Sequence, residues 1–292
     1  MMVLNRKILK KLYAILHECI KKTLQTIVSI VRIIVLSRLS TAVKTSAYVN
    51  NKFSNNCCIL GNGPSLKQAL NNGEVILNDT DVFCVNLFAK CDDFWIIKPR
   101  FYFLVDPCFF EPMTERDTII VDDLCKLLSK VDWNMYLCVS TNSNINGIIS
   151  KINNQNIRSL SWNTATFEGF SNISYRIFSL NLGMPKCQTV VNFALMAAIN
   201  MKYQNIYLYG ADHSWTKDLR VDNNNNVCYG DRHVYNTKLT EIKMKYSISH
   251  LLNLYANMFA SHLIISNYAK YKKITILNCT KDSFIDAYTR KI

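Results

Sequence analysis

Six short stretches of this chain are apolar almost without interruption: residues 57–60, 81–86, 101–106, 135–140, 205–209 and 274–279. Most of them stop abruptly at Gly, Asn, Asp or Ser. Continuous apolar runs of this length, without alternation, are the pattern of strands buried on both faces in a parallel sheet. Residues 117–121, which include Thr118, Ile119, Ile120 and Val121, form a further candidate strand. Pro64 and Ser65 open a helix, because proline suits a first helical turn where its missing N–H costs nothing. A second helix over 188–201 feeds the strand at 205–209, and 240–270 reads as largely helical, with Ile248, Leu251, Leu252, Leu254, Met258 and Phe259 as its apolar positions. Strand, turn, helix, strand in this spacing predicts an α/β fold with a mostly parallel sheet flanked by helices. Residues 140–181 are polar and unpatterned, the expectation for a flexible excursion or a small subdomain over the site.

The ends of this pattern divide the chain. Residues 1–45 contain neither proline nor glycine and read as one or two helices, nearly all aliphatic from Ile27 to Leu36 apart from Ser29 and Arg32. Residues 46–56, rich in Asn, Ser and Lys, look like a linker. The expected organisation is therefore a basic amphipathic helix and linker over 1–50, then one α/β domain over 51–292. That domain carries a lid at about 213–240, where the asparagines 223–226 mark an exposed tip.

Charge sharpens the division. The net charge is +13, and residues 1–45 place nine cations (Arg6, Lys7, Lys10, Lys11, Lys21, Lys22, Arg32, Arg38, Lys44) against the single acid Glu18. The rest is only mildly basic, which argues against a nucleic-acid groove. A basic helix with an apolar face lies in a membrane interface drawn by anionic lipid, or packs on its own domain or a second subunit. It is too short and too charged in its apolar part for a clear span, and it has no cleavage site of a signal peptide. Eleven cysteines without a CxxC pair behave as small hydrophobes in a reducing compartment rather than as a disulfide framework or a zinc site.

Candidate chemistry sits at the strand ends. Cys57-Cys58-Ile59-Leu60-Gly61-Asn62-Gly63-Pro64-Ser65 describes a strand leaving its sheet through a tight turn into a helix, where free N–H groups and the helix dipole make a seat for phosphate. It is neither a full GxGxxG fingerprint nor a P-loop. Asn86 and Asp106 also fall at carboxyl ends of strands, where open α/β sheets bind ligands. Asp212-His213, with His233 on the following loop, is the best acid/base constellation, and either imidazole can serve as base. Tyr229, Arg232 and Tyr235 around His233 can hold a departing phosphate or simply anchor the loop. His17, His250 and His262 read as structural. No HExxH is present, and no dedicated metal site is expected.

These residues together resemble a known group. The run from Ile59 to Lys67, then Asp81-Val82-Phe83 with Asn86, is similar to the opening of the bacterial sialyltransferases that cap lipooligosaccharide. Residues 189–212, ending Ile206-Tyr207-Leu208-Tyr209-Gly210-Ala211-Asp212, resemble that family's second block. Both blocks recur in a wider superfamily with the motility-associated glycosyltransferases and the 6-hydroxymethylpterin diphosphokinase-like proteins. The resemblance implies a Rossmann-like domain with a lid, binding a CMP-sugar without metal. Asn62 would contact the nucleotide phosphate, Asn86 the sugar or phosphate, and Thr189 the nucleotide. Tyr229 and Tyr235 would assist the leaving phosphate, with His233 as base. From the residues alone, Asp106 binds a ribose, a sugar or a divalent metal, or caps the next turn. Asp106 stands where the sialyltransferases have asparagine, and the surroundings of their histidine are not reproduced at His233. The implied activity is sugar transfer to a glycan or lipid-linked acceptor in surface-polysaccharide assembly, on the cytoplasmic side of the membrane, with no cofactor. A homo-oligomer is left open. Two alternatives stand beside it: a magnesium-dependent diphosphokinase using Asp106 and Asp212, or a nucleotide-binding scaffold without turnover.

Overall fold

A computed structural model describes residues 2–47, 52–244 and 246–291 of the chain. Part of the expected linker, residues 48–51, lies outside them. The N-terminal segment is a long helix, α1 (Met2–Leu36), followed by α2 (Leu39–Ala47). The domain then runs β1 (Asn56–Leu60), α3 (Ser65–Asn71), β2 (Asp81–Val85), α4 (Asp92–Ile97), β3 (Phe101–Phe103), α5 (Glu115–Leu128), β4 (Met135–Ser140), α6 (Ile145–Ile152), β5 (Ile157–Trp162), α7 (Ser171–Ser179), α8 (Val190–Asn200) and β6 (Asn205–Tyr209). After it come the short β7 (Arg220–Val221), β8 (Val227–His233), β9 (Asn236–Met244), α9 (Ile248–Tyr271), β10 (Thr275–Asn278) and β11 (Thr289–Arg290).

Eight strands form one parallel sheet in the order β11-β10-β6-β1-β2-β3-β4-β5. Helices cover both faces, so the fold is a Rossmann-like doubly wound α/β structure. The strand side chains alternate between two cores. Cys57, Ile59, Phe83, Phe101, Phe103, Ile206 and Leu208 pack against α8 and the interior side of α9, while Cys58, Leu60, Cys84, Tyr102, Leu137 and Val139 pack against α3, α4 and α5. The cysteines in the strands are buried and all eleven are free, consistent with their use as small hydrophobes. Helix α8 is apolar on every side and buried along its whole length except its last residue, which is why it shows no amphipathic stripe.

Three expectations change. Residues 117–121 belong to α5, not to a strand. Thr114 and Asp117 form a reciprocal capping box at its start, with the Asp117 amide donating to Thr114 Oγ1 at 3.1 Å, and this cap together with tertiary packing overrides the β-branched run. Residues 140–181 do not lie over the site. They supply α6, the edge strand β5 and α7, so the segment completes the sheet. The lid is not an open loop but a three-stranded antiparallel sheet, β7-β8-β9, and its last strand takes up residues 240–244 of the expected helix.

The N-terminal helices are joined to the domain by polar contacts. Thr26 Oγ1 accepts from the Phe170 amide (3.2 Å), Ser29 Oγ from the Glu168 amide (2.9 Å), and the Arg32 guanidinium donates to Thr166 O (3.1 Å). Among the described residues no single helix is long and apolar enough to cross a bilayer. The bent pair Arg6–Leu36 and Leu39–Thr45, at 86°, meets length and composition only together.

Candidate functional site

The strand order reverses between β1 and β6, and the loops leaving these neighbours diverge at that point. A crevice opens at such a switch point in any open α/β sheet. Here the two loops meet back to back through glycines. The Gly61 amide donates to Tyr209 O and the Gly63 amide to Gly210 O, both at 2.8 Å. Gly210 has φ +64, and a Cβ there would lie 2.6 Å from Gly61 O. The glycines therefore serve the close approach of two protein loops. Asp212 reaches the helix start beside this turn: its carboxylate accepts from the Ser65 amide (3.3 Å) and the Ser65 hydroxyl (2.8 Å). Burial raises the Asp212 carboxyl above the ordinary carboxylate range, and the two Ser65 bonds partly offset it.

Beside this junction lies a cavity of about 650 Å³. Its floor is built from the loops after β1, β2 and β3. Asn62 donates its amide nitrogen to Val85 O (3.1 Å), and Asn86 donates to Asp106 Oδ2 (3.2 Å). Both amide oxygens, Asn62 Oδ1 and Asn86 Oδ1, are buried without a hydrogen-bond partner. Asn86 takes φ 47, a left-handed conformation that asparagine tolerates. Burial raises the Asp106 carboxyl, and the Asn86 bond pulls it part of the way back. The floor thus presents acceptors, which call for hydroxyl or amino donors on a ligand.

The small sheet roofs the cavity. The tight turn between β8 and β9 reaches down so that the Val234 amide donates to Asn62 O at 2.9 Å. This bond pins the lid to the floor. The ladder shifts register between Asp231 and His233, a kink that re-aims the side chains of the bulged strand. Tyr229, Arg232, His233 and Tyr235 all line the cavity, with the His233 and Tyr235 rings stacked at 4.9 Å and Arg232 3.5 Å from Asp218. On one side Thr189 caps α8, its hydroxyl accepting from the Asn192 amide at 3.4 Å. Residues 188–191 at that helix start border the cavity. Trp215 stacked on Tyr255 forms an aromatic side to it.

His213 stands apart chemically. It has φ 51, a strained backbone for histidine, and lies buried at the cavity edge. Its Nε2 is 3.3 Å from His262 Nε2, and His262 Nδ1 is 2.8 Å from the Tyr288 hydroxyl. Burial pushes His213 down to about 3 and His262 well below its ordinary value, so both rings are neutral at neutral pH. The three groups form one buried hydrogen-bonded chain, and burial makes His213 a weak base.

Of the sequence candidates, the structure brings Asn62, Gly63, Asn86, Asp106, Thr189, Asp212, His213, Tyr229, Arg232, His233 and Tyr235 to one cavity. Gly61 and Ser65 lie behind it, holding the loops and Asp212. Sequence reasoning missed Trp215, Tyr255 and Met258 as cavity-lining residues, while His262, read as structural, is buried and bonded to His213 and Tyr288. A signal for His262 existed: it falls at helical spacing among Leu251, Met258 and Ile265, the buried stripe of α9. Among the described residues, no group of three or more His, Cys, Asp or Glu side chains is placed to hold a metal ion.

The fold and site define a doubly wound α/β protein with a lidded cavity at its switch point. No protein-family model and no curated protein matches the chain. Among solved structures it is similar to the MAf glycosyltransferase from Magnetospirillum magneticum AMB-1, with 11% identity and a TM-score of 0.49 over 87% of this chain. The chain spans 38% of that protein's length.

Proposed function

We propose that this chain is a glycosyltransferase that moves a sugar from a nucleotide-activated donor, a CMP-sugar, to a hydroxyl of a glycan or lipid-linked acceptor. The observation that carries this reading is the cavity floor. Asn62 Oδ1 and Asn86 Oδ1 are buried acceptors without partners, and Asp106 stands beside them. Sugar and ribose hydroxyls, or the exocyclic amine of cytosine, are the donors that satisfy such atoms. The roof supplies the opposite chemistry, with Arg232, Tyr229 and Tyr235 for a leaving phosphate. The start of α8 borders the same space, and its dipole favours negative charge there. Because Asp212 bonds to Ser65 at the helix start after β1, the departing phosphate is assigned to the lid and α8 rather than to that turn.

In this reaction the acceptor oxygen attacks the anomeric carbon. The bond from that carbon to the phosphate oxygen breaks, and the phosphate takes the electron pair. The acceptor's proton passes to His233, which is favoured over His213 because burial makes the latter a weak base. No metal is required for any of these steps.

The test is thermal unfolding with CMP, CDP, UDP, GDP or ATP, each with and without EDTA. A ligand bound only by the folded state raises the melting temperature by several degrees. Stabilisation by CMP that survives EDTA supports the proposal. Stabilisation by ATP alone, lost in EDTA, overturns it in favour of a diphosphokinase.

A further inference from the structure

Helix α1 is packed inside out. From residue 22 onward, the face turned to the domain is mostly polar, with Ile33 its one buried aliphatic side chain. Thr26 is 6% exposed and Ser29 1%, each bonded to a domain amide, and Arg32 on the same side donates to Thr166 O. The opposite face is aliphatic and open: Ile34 is 75% exposed, Val35 72% and Val31 55%. A helix on a globular domain ordinarily does the reverse. The same outward side continues through Leu9, Leu16 and Ile20, which are also exposed, so the stripe follows most of a helix about 50 Å long. An open apolar surface of this extent marks a place of contact.

We infer that this stripe docks α1 along an anionic lipid surface, apolar side down, with the domain carried above it. Two observations choose lipid over a second copy of the chain. Residues 1–45 carry nine cations against the single acid Glu18, and Glu18 is already paired with Lys22 of its own helix at 3.6 Å. Two such helices brought together would face charge repulsion with no acid left to relieve it. A bilayer with acidic headgroups supplies both the apolar layer and the opposite charge. The side chains flanking and opposing the stripe, Lys7, Lys10, Lys11 and Lys21 among them, place their charges where headgroups lie. Arg32 remains bonded to the domain, so the helix lies along the surface while the domain stays folded. This inference does not depend on the glycosyl-transfer reading.

The experiment is vesicle sedimentation of the full-length protein. Vesicles are phosphatidylcholine alone, or phosphatidylcholine mixed with phosphatidylglycerol, at low and high salt. The expected result is strong binding to the anionic vesicles, weakened by salt and by removal of the acidic lipid. Val31→Glu with Ile34→Glu, both on the open face, lowers the partition coefficient about tenfold or more. Lys10→Glu with Lys11→Glu also lowers it about tenfold or more, since two attractive charges near the surface become repulsive. Thermal unfolding of each variant shows whether the fold is kept. Absence of binding, or equal salt-insensitive binding to neutral vesicles, overturns the inference. So does a concentration-dependent dimer that the Val31 and Ile34 changes abolish in analytical ultracentrifugation.

Discussion

At Gly63 a Cβ would lie 1.8 Å from Asp212 Oδ2 and 2.6 Å from Gly210 O, so this position admits no side chain without moving the carboxylate from Ser65. Gly63→Ala should cost about 2 kcal/mol or more by the usual scale for strain at a tight site, read as a fall in melting temperature. His213 gives a pH signature. Its native value of about 3 lies below the ~6.5 of an exposed imidazole. Its stabilising effect is therefore complete above that unfolded value, and is lost as pH falls from there toward 3, because the unfolded chain takes up a proton that the native chain refuses. At pH 5 the loss from His213 is roughly 2 kcal/mol. Asp106 and Asp212, raised by burial, act in the opposite sense, so the histidine contribution is read by difference against His213→Gln in denaturant unfolding. That variant should show a flatter acid limb, and an unchanged limb would remove His213 as its source. On the lid, Arg232→Ala should weaken CMP about tenfold, near 1.4 kcal/mol, as judged by thermal-shift titration.

Single elements show how local signals compete. Helix α5 contains Thr118, Ile119, Ile120 and Val121, a run that reads as strand, yet Thr114 and Asp117 cap it reciprocally. Thr114→Ala should destabilise the protein by about 1 kcal/mol, the usual worth of such a cap, measurable by urea unfolding. The spacing Thr114-x-x-Asp117 is present in the sequence, but the strand reading of 117–121 rested on the β-branched run alone. Strand β6 and helix α8 were legible from the lengths of their apolar runs and the turn residues that bound them. The lid was legible only as a polar segment after a strand. Its pairing into β7, β8 and β9 joins neighbouring segments, whereas the pin from the Val234 amide to Asn62 O joins residues far apart in the chain. No local pattern encodes such a contact.

Across the whole molecule, the chain order of the strands decides where function sits. Strand β1 pairs with β2 on one side and with β6 on the other, so the loops after β1 and β6 part and open the crevice. The N-terminal helix is attached only through its second half, since residues 6–21 are exposed. Removing residues 1–21 should leave the melting temperature within about 1 °C. Removal through residue 36 should lower it, because Ile33 then leaves the core and the partners of Thr26, Ser29 and Arg32 lose their bonds. Calorimetry of the two truncations checks both outcomes.

The amino-acid sequence by itself determined the fold class, the strand and helix elements with clear apolar runs, and the residues at strand ends that meet in the cavity. Those features are local, set by burial pattern, glycine and proline. Only the tertiary structure decided what meets the turn at residues 61–65, because the partner of Ser65 is a carboxylate 147 residues further along the chain. It alone joined His213 to His262 and Tyr288, which share no segment. It also decided which side of α1 faces outward. The hydrophobic pattern names two faces of a helix, but only the packed domain, by offering amides and carbonyls to Thr26, Ser29 and Arg32, selects the polar one.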